Sequence, residues 1–451
     1  MLRSLAAGSL LMPGILQMLL AEDARGEAVN PLAPRQPPFP AKARNVIFLY
    51  MSGGVSHMDS FDYKPRLFKD AGKPYSAGGK GPVGRPILRP FWDFKPGGQR
   101  GHMVSDLFPH LRQKMDDICM INSMYGDHQD HFQATLGMHT GSVTFARPSL
   151  GSWATYGLGT LNQNLPCFVV LAPQLPYAGT QVWSSDFLPG CYQGTRIVAG
   201  PEPIPDLKRR AASLEIEQAE LGLLSQFNAR HQQTHLNNPA LAARVKSFET
   251  AFGMQQEMPE ALDLKHETDA TLNLYGLERG STKGFAWQCL MARRLIERGV
   301  RFVELIDTGS SNNWDSHSDM HAHGPLAKNV DQPIAGLLTD LKSRGMLDET
   351  LVIWTTEFGR SPFTDGPLGR SHHANCFTSW LAGAGVKAGM TYGKSDEFGD
   401  KWVEDGVHTH DFHATILRLL GFDHEKLTYR HAGRDYRLTD VSGTVLKKIL
   451  A

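Results

Sequence analysis

The chain has 451 residues, enough for one extended α/β domain or two ordinary ones. Its 46 Lys and Arg balance 46 Asp and Glu, which argues against a nucleic-acid partner and leaves any charged ligand to a local patch. The cysteines (Cys119, Cys167, Cys191, Cys289, Cys376) form no CxxC pair, which speaks against a thiolate zinc site or a redox dithiol, whereas the 19 histidines bunch in a way that points to metal chemistry.

Residues 1–21 carry Arg3 and then an apolar run broken by Pro13 and Gly14. The run is too short and interrupted for a membrane span and reads as an export leader. Residues 22–42, rich in Pro, Ala and charge, read as a linker, so the domain is expected over 43–451, in the periplasm or another extracytoplasmic space, with no stable membrane span in the mature chain. The first strand is expected at 45–50 (NVIFLY), continuously apolar and therefore buried on both faces, and it runs into Ser52-Gly53-Gly54. The following loop holds Ser56, His57, Asp59 and Asp62. Ser56 beside His57 suggests a serine hydrolase, but no GxSxG elbow accompanies it, and Asp59 is the better candidate for a metal cleft.

Further strands are expected at 117–122, 167–171, 301–306, 351–355 and 377–381, in a parallel α/β pattern. Between 205 and 276 the composition shifts to Leu, Ala, Gln and Glu, which predicts a helical insertion with helices over 212–227 and 240–252, acting as a packing layer rather than a cap. A helix over 285–298, Gly299 and the strand at 301–306 are followed by the same order again: helix 333–344, Gly345, strand 351–355. Two strands entered from helices run parallel and share a C-terminal edge, where ligands of open α/β sheets bind.

What leaves that edge carries the chemistry. After 306 comes Trp314-Asp315-Ser316-His317-Ser318-Asp319-Met320-His321-Ala322-His323, where carboxylates and imidazoles two to four residues apart can grip one divalent cation; a polar surface loop is the plain alternative. After 355 come Glu357, a ligand or general base, and Arg360 and Arg370, which can hold an anion or brace a turn, with His372 and His373 behind them. A C-terminal helix opens within 407–417, with Asp411 as a cap residue and His410 or His413 as a ligand or an orienting group. The loop Asp127-His128-Gln129-Asp130-His131 adds two more histidines.

Several segments resemble the alkaline phosphatase and sulfatase superfamily: Asn45 to Met51 its opening strand, Thr355-Thr356-Glu357-Phe358-Gly359 its Thr-Ser-Asp-His-Gly strand end, His372 its late metal histidine, and His410-Asp411 to Gly421 its closing helix. More closely, the span from Asn45 to the C-terminus resembles the bacterial family called domain of unknown function 1501. Its marks are Gly-Gly-x-Ser-x-x-Asp at 53–59, His-Thr-Gly at 139–141, Trp-Asp-x-His at 314–317 and Glu-Phe-Gly-Arg at 357–360. The resemblance implies an α/β fold, an alkaline-phosphatase-like sandwich with a central mostly parallel sheet between helices plus a helical insertion. It also implies a divalent metal site (zinc, calcium or manganese), with ligands among Asp59, Asp315, His317, His323, Glu357, His372 and His410.

The sequence departs from the superfamily where a second metal and a nucleophile would stand. Ser52 replaces the first-strand aspartate, Glu357-Phe358 replaces Asp-His, and the nucleophile stretch reads His131-Phe132-Gln133-Ala134-Thr135. Four options follow: His131 as nucleophile or extra ligand, Thr135 as nucleophile, direct use of water, or loss of hydrolysis. The expected catalytic residues are therefore His131, Thr135, Glu357 and Arg360. The expected function is an exported metal-dependent hydrolase acting on phosphate or sulfate esters, small molecules or sulfated glycans. The alternative is a catalytically silent metal-containing protein that binds a glycan or protein partner. Nothing in the sequence sets the oligomeric state.

Overall fold

Asn45–Tyr50 (β1) is buried at every position because it lies in the middle of a nine-stranded sheet. The computed structural model describes residues 30–75, 84–200, 202–205, 207–208, 213–234 and 238–451; the expected leader and the first part of the linker lie outside them. The other strands in chain order are β2 (Ile118–Tyr125), β3 (Phe168–Leu171), β4 (Thr195–Ile197), β5 (Phe302–Ile306), β6 (Thr350–Thr355), β7 (Phe377–Ala382), β8 (Met390–Tyr392) and β9 (Val407–His408). They lie in the order β8-β2-β7-β6-β1-β5-β3-β4, with β9 also on β2. β1 pairs in parallel with β5 and β6, so the C-terminal ends of all three meet at one edge, as the two helix-glycine-strand units predict.

One expected strand runs the other way. β7 is antiparallel to both β6 and β2. A hairpin of Gly359–Asp365 and Gly369–His373, not a crossover helix, joins β6 to β7, so the chain re-enters the sheet from the edge it has just left.

Alternation along the strands builds two cores. Ile47 and Leu49 face one side with Val303, Leu305, Val352 and Trp354. Val46, Phe48 and Tyr50 face the other with Phe302, Ile306, Leu351 and Ile353. Seven helices are used below: α1 (His131–Thr140), α2 (Leu150–Leu158), α3 (Leu214–Thr234), α4 (Pro239–Leu262), α5 (Phe285–Glu297), α6 (His323–Ser343) and α7 (Thr409–Leu419). α5 and α6 cover the first face; α1, α2 and α7 cover the second. Each fully buried Leu, Ile, Val or Phe in these layers contributes about 1.5–3 kcal/mol.

Three helices differ from their expected form. α6 begins ten residues before Pro333, which sits inside it, so the His-rich cluster ends on a helical first turn rather than in a free loop. α7 takes His408 as its N-cap and Asp411 completes a capping box: the His408 side chain accepts from the His410 amide, and Asp411 accepts from the His408 amide in return. The insertion divides in two. α4 packs inward through Met254, Met258 and Ala261, as a packing layer should, whereas no described residue of α3 is buried.

Candidate metal centre

The glycine pair after β1 lets three loops close on one point. Gly53 (φ 112) lies so near the Trp314-Asp315 backbone that a Cβ would stand 2.7 Å from both amide nitrogens, and one on Gly54 (φ 78) would meet the Phe358 ring at 2.6 Å. The loops after β1, β5 and β6 therefore stack, and α1 supplies the fourth wall.

Asp315 is the hub. Its Oδ1 lies 3.0 Å from His317 Nε2, 3.2 Å from His372 Nε2 and 2.7 Å from an Arg360 nitrogen, while its Oδ2 lies 3.2 Å from His131 Nε2. Burial alone would raise this carboxyl, but the neighbouring His131, His372 and Arg360 groups outweigh it and hold Asp315 far below the usual carboxylate range.

Each imidazole is pinned from behind. His131 Nδ1 donates to Glu357 Oε1 at 2.8 Å, His317 Nδ1 to Asp365 Oδ2 at 2.6 Å, and His372 Nδ1 to the Gln129 carbonyl at 2.8 Å. An acceptor behind Nδ1 fixes the tautomer, so three Nε2 lone pairs point at the hub. Two of them, on His317 and His372, are 2.8 Å apart, and His131 Nε2 is buried without a well-formed hydrogen bond. Facing lone pairs repel unless a proton or a cation lies between them. The arrangement has the shape of a site for a divalent cation: one ligand atom each from His131, Asp315 and His372 lie within 4.8 Å of one another, with His317 beside them.

The surroundings hold the rings still. His131 stacks on Tyr177 at 4.0 Å and 5°, and Phe358 packs on His131 and His372 at 4.8 and 4.6 Å. Burial lowers the proton affinity of His131, but the Asp315 and Glu357 carboxylates outweigh it and raise its pKa above the ordinary histidine value. His372 falls, chiefly because burial disfavours its charged form.

Glu357 stands behind His131 instead of beside it. Its Oε1 also accepts from the Gly53 amide at 2.8 Å, and its Oε2 from the Tyr50 hydroxyl at 2.9 Å and Thr356 Oγ1 at 3.0 Å. A carboxylate has about four acceptor positions, and these bonds fill them. Thr135 lies deeper still, fully buried and hydrogen-bonded through Oγ1 to the Tyr50 hydroxyl at 2.9 Å.

Both buried arginines are spoken for by the protein. Arg360 donates to the carbonyls of Gly53, Gly54, Trp314 and Arg370 as well as to Asp315, so it braces the hub from beneath. Arg370 is paired with Asp59 at 2.8 Å and bonds the Ser361 and Leu88 carbonyls. Asp59 is thus held in a buried ion pair that also takes the Ser56 hydroxyl at 2.5 Å. His57 bonds the Gly399 carbonyl, and burial pulls its pKa down to about 3, so Ser56 and His57 form no catalytic pair.

His323 is buried with both nitrogens engaged, by Ser316 Oγ at 3.1 Å and the Ser56 amide at 3.2 Å. His410 donates through Nδ1 to the Thr439 carbonyl and sits near Asp127 and His408, across a small cavity from Glu357. That second cluster has a different protonation. Because His408 Nδ1 accepts the helix amide of His410, its Nε2 carries the hydrogen and donates it to Asp127 at 3.0 Å.

The structure therefore gathers His131, Asp315, His317 and His372, supports them with Glu357 and Arg360, and leaves Thr135, Asp59, His323 and His410 outside the hub. Sequence reading missed Tyr50, Tyr177, Asp365 and the Gln129 carbonyl. For Asp365 a signal existed. Asp-Gly is a turn-forming pair: Asp365 ends the first hairpin strand and Gly366 (φ 65) opens the turn, and a register shift between Arg370 and His372 then places His372 opposite Arg360.

No curated protein matches the chain. Among solved structures, the crystal structure of Ps i-CgsB matches at 12% identity and TM-score 0.38, over 86% of this chain and 72% of that chain. The lipoteichoic acid synthase LtaP from Listeria monocytogenes matches at 9% and 0.37, over 92% and 80%. Alkaline phosphatase from the Antarctic bacterium TAB5 matches at 12% and 0.35, over 86% and 99%. At these scores no chemistry passes from them to this chain. Residues 43–450, which include the loops and helices that build the hub, match the model described as protein of unknown function (DUF1501), and the chain belongs to that family.

Proposed function

We propose that His131, Asp315, His317 and His372 hold one divalent metal ion and that the protein is a metal-dependent ester hydrolase. The observation that carries the reading is the convergence of three Nε2 lone pairs on one carboxylate, each ring locked by an acceptor behind its Nδ1. Three imidazoles and one carboxylate suit zinc or manganese; calcium prefers oxygen donors throughout. A bound ion of this kind supplies Lewis acidity to an ester oxygen and lowers the pKa of water.

The chain's own residues supply position. Glu357, Asp365 and Gln129 orient the rings, Arg360 neutralises Asp315, and Tyr177 and Phe358 wall off one side of His131. His317, with its side chain 40% exposed, marks the open side on which a substrate would arrive. Phosphate and sulfate esters, including sulfated glycans, are the substrate class suggested by the motif resemblance. Export rests on the leader-like residues 1–21; among the described residues no helix is long and apolar enough to cross a membrane.

One observation favours a binding protein instead. Thr135 is tied to Tyr50, and the donors of Arg360 and Arg370 are committed to protein acceptors, so neither a hydroxyl nucleophile nor an arginine clamp reaches the hub. Metal analysis of the purified protein, with hydrolysis of aryl phosphate and aryl sulfate esters, separates the two. Turnover abolished by Asp315→Ala and His372→Ala supports the hydrolase. Bound metal without turnover supports the binding protein, and protein that takes up no metal sinks both.

A further inference from the structure

Helix α3 carries its apolar residues on the outside. Its half-buried positions include Leu214, Leu221 and Asn228, whereas Ile216, Leu223, Leu224 and Phe227 are 48, 55, 46 and 61% exposed. At about 100° per residue, Ile216, Leu223 and Phe227 fall on one line along the helix, with Leu224 beside them. The result is a stripe some three turns long, and it points away from the body of the protein. An amphipathic helix normally buries that stripe.

We propose that α3 is the contact face of a two-fold homodimer, lying antiparallel against α3 of a second copy. Area supports a second copy. Four half-exposed large side chains present on the order of 400 Å² of apolar surface, already the size of the largest patch most monomers carry. Two such stripes face to face, with their flanking residues, reach the roughly 1,000 Å² that a specific interface needs. A two-fold axis makes one patch complementary to itself, so no other surface is required.

Charge selects the orientation and disfavours a membrane. Glu220 lies in the N-terminal half of the helix and Arg230 in its C-terminal half. Antiparallel docking sets unlike ends against each other; parallel docking sets like against like. With Arg230 as its one Lys or Arg, the helix lacks the basic face that holds amphipathic helices on anionic lipid.

Light scattering after size-exclusion chromatography of the full chain is expected to give twice the monomer mass. The double variant Leu223→Glu, Phe227→Glu is expected to halve that mass with an unchanged circular dichroism spectrum, because both side chains are exposed in the single copy. Oxidised Leu223→Cys, within a turn of the axis, is expected to form an interchain disulfide, and Ile216→Cys, far from its own copy, is not. A monomer at all concentrations, a dimer that survives the double variant, or equal cross-linking at both positions would overturn the proposal. So would monomeric protein that binds phosphatidylserine vesicles through the stripe. Metal content is read on the same samples, and its presence or absence leaves the outcome unaffected.

Discussion

Glu357 decides which nitrogen of His131 faces the hub, and it does so without touching the hub. Second acceptors of this kind typically govern metal affinity by about 10- to 100-fold. Glu357→Ala is therefore expected to weaken metal binding by about that factor, while Glu357→Gln, whose amide oxygen still accepts from Nδ1, loses much less. Competition with a chromogenic chelator measures both; equal affinities for the wild type and the alanine variant would mean that the bond does not orient the ring. Arg360 is different in kind. Its own side chain is 0% exposed and its removal leaves four carbonyls and Asp315 without their donor, so Arg360→Met is expected to cost about 3–5 kcal/mol, seen as a fall in Tm. His317→Ala, at the open rim, is expected to change Tm little and metal affinity strongly. Asp315, His317, His372 and Arg360 were legible as residue types with metal or anion chemistry. Whether an arginine holds a substrate or a loop was not, because that depends on which carbonyls the fold brings to its donors.

At the scale of elements, glycine and proline signals located joints well and directions less well. Gly299 and Gly345 mark the ends of two helices and the approach to parallel strands, as read from the sequence. β7 escaped because its apolar run is the same whichever way it points; the hairpin before it sets the direction. α5 offers a test of how the insertion is fastened. Glu267 bridges Arg293 at 2.8 Å and Arg294 at 2.5 Å, and although its burial works the other way, the two guanidinium groups hold its pKa below the usual value of 4.5. A depressed carboxyl stabilises the fold above its unfolded pKa and ceases to do so as pH falls through the folded value. Glu267→Gln is expected to lower Tm at pH 7, with the difference from the wild type shrinking below about pH 4.5. A deficit that persists undiminished in acid would assign the loss to packing instead of charge.

At the scale of the molecule, metal and fold are linked, since a ligand that binds only the native state stabilises it by mass action. At a free metal concentration about 100-fold above Kd the gain is about 2.7 kcal/mol, so zinc or manganese is expected to raise Tm and a chelator to reverse the rise. Asp315→Ala is expected to abolish that response; a metal-dependent Tm that survives it would place the ion elsewhere. The sequence by itself determined the α/β class, the first strand, the helix-glycine-strand units and the segments that supply the hub, because periodicity and side-chain chemistry are local properties. Only the tertiary structure decided which of the candidates meet. His131 and Asp315 lie far apart in the chain and converge because β2, which leads into α1, and β5, which leads to Asp315, end at one edge of the sheet, whereas His323, two turns of sequence from Asp315, is turned into the core by the first turn of α6. Spacing along a chain reports who could be neighbours; the sheet register and the loops packed on Gly53 and Gly54 report who are.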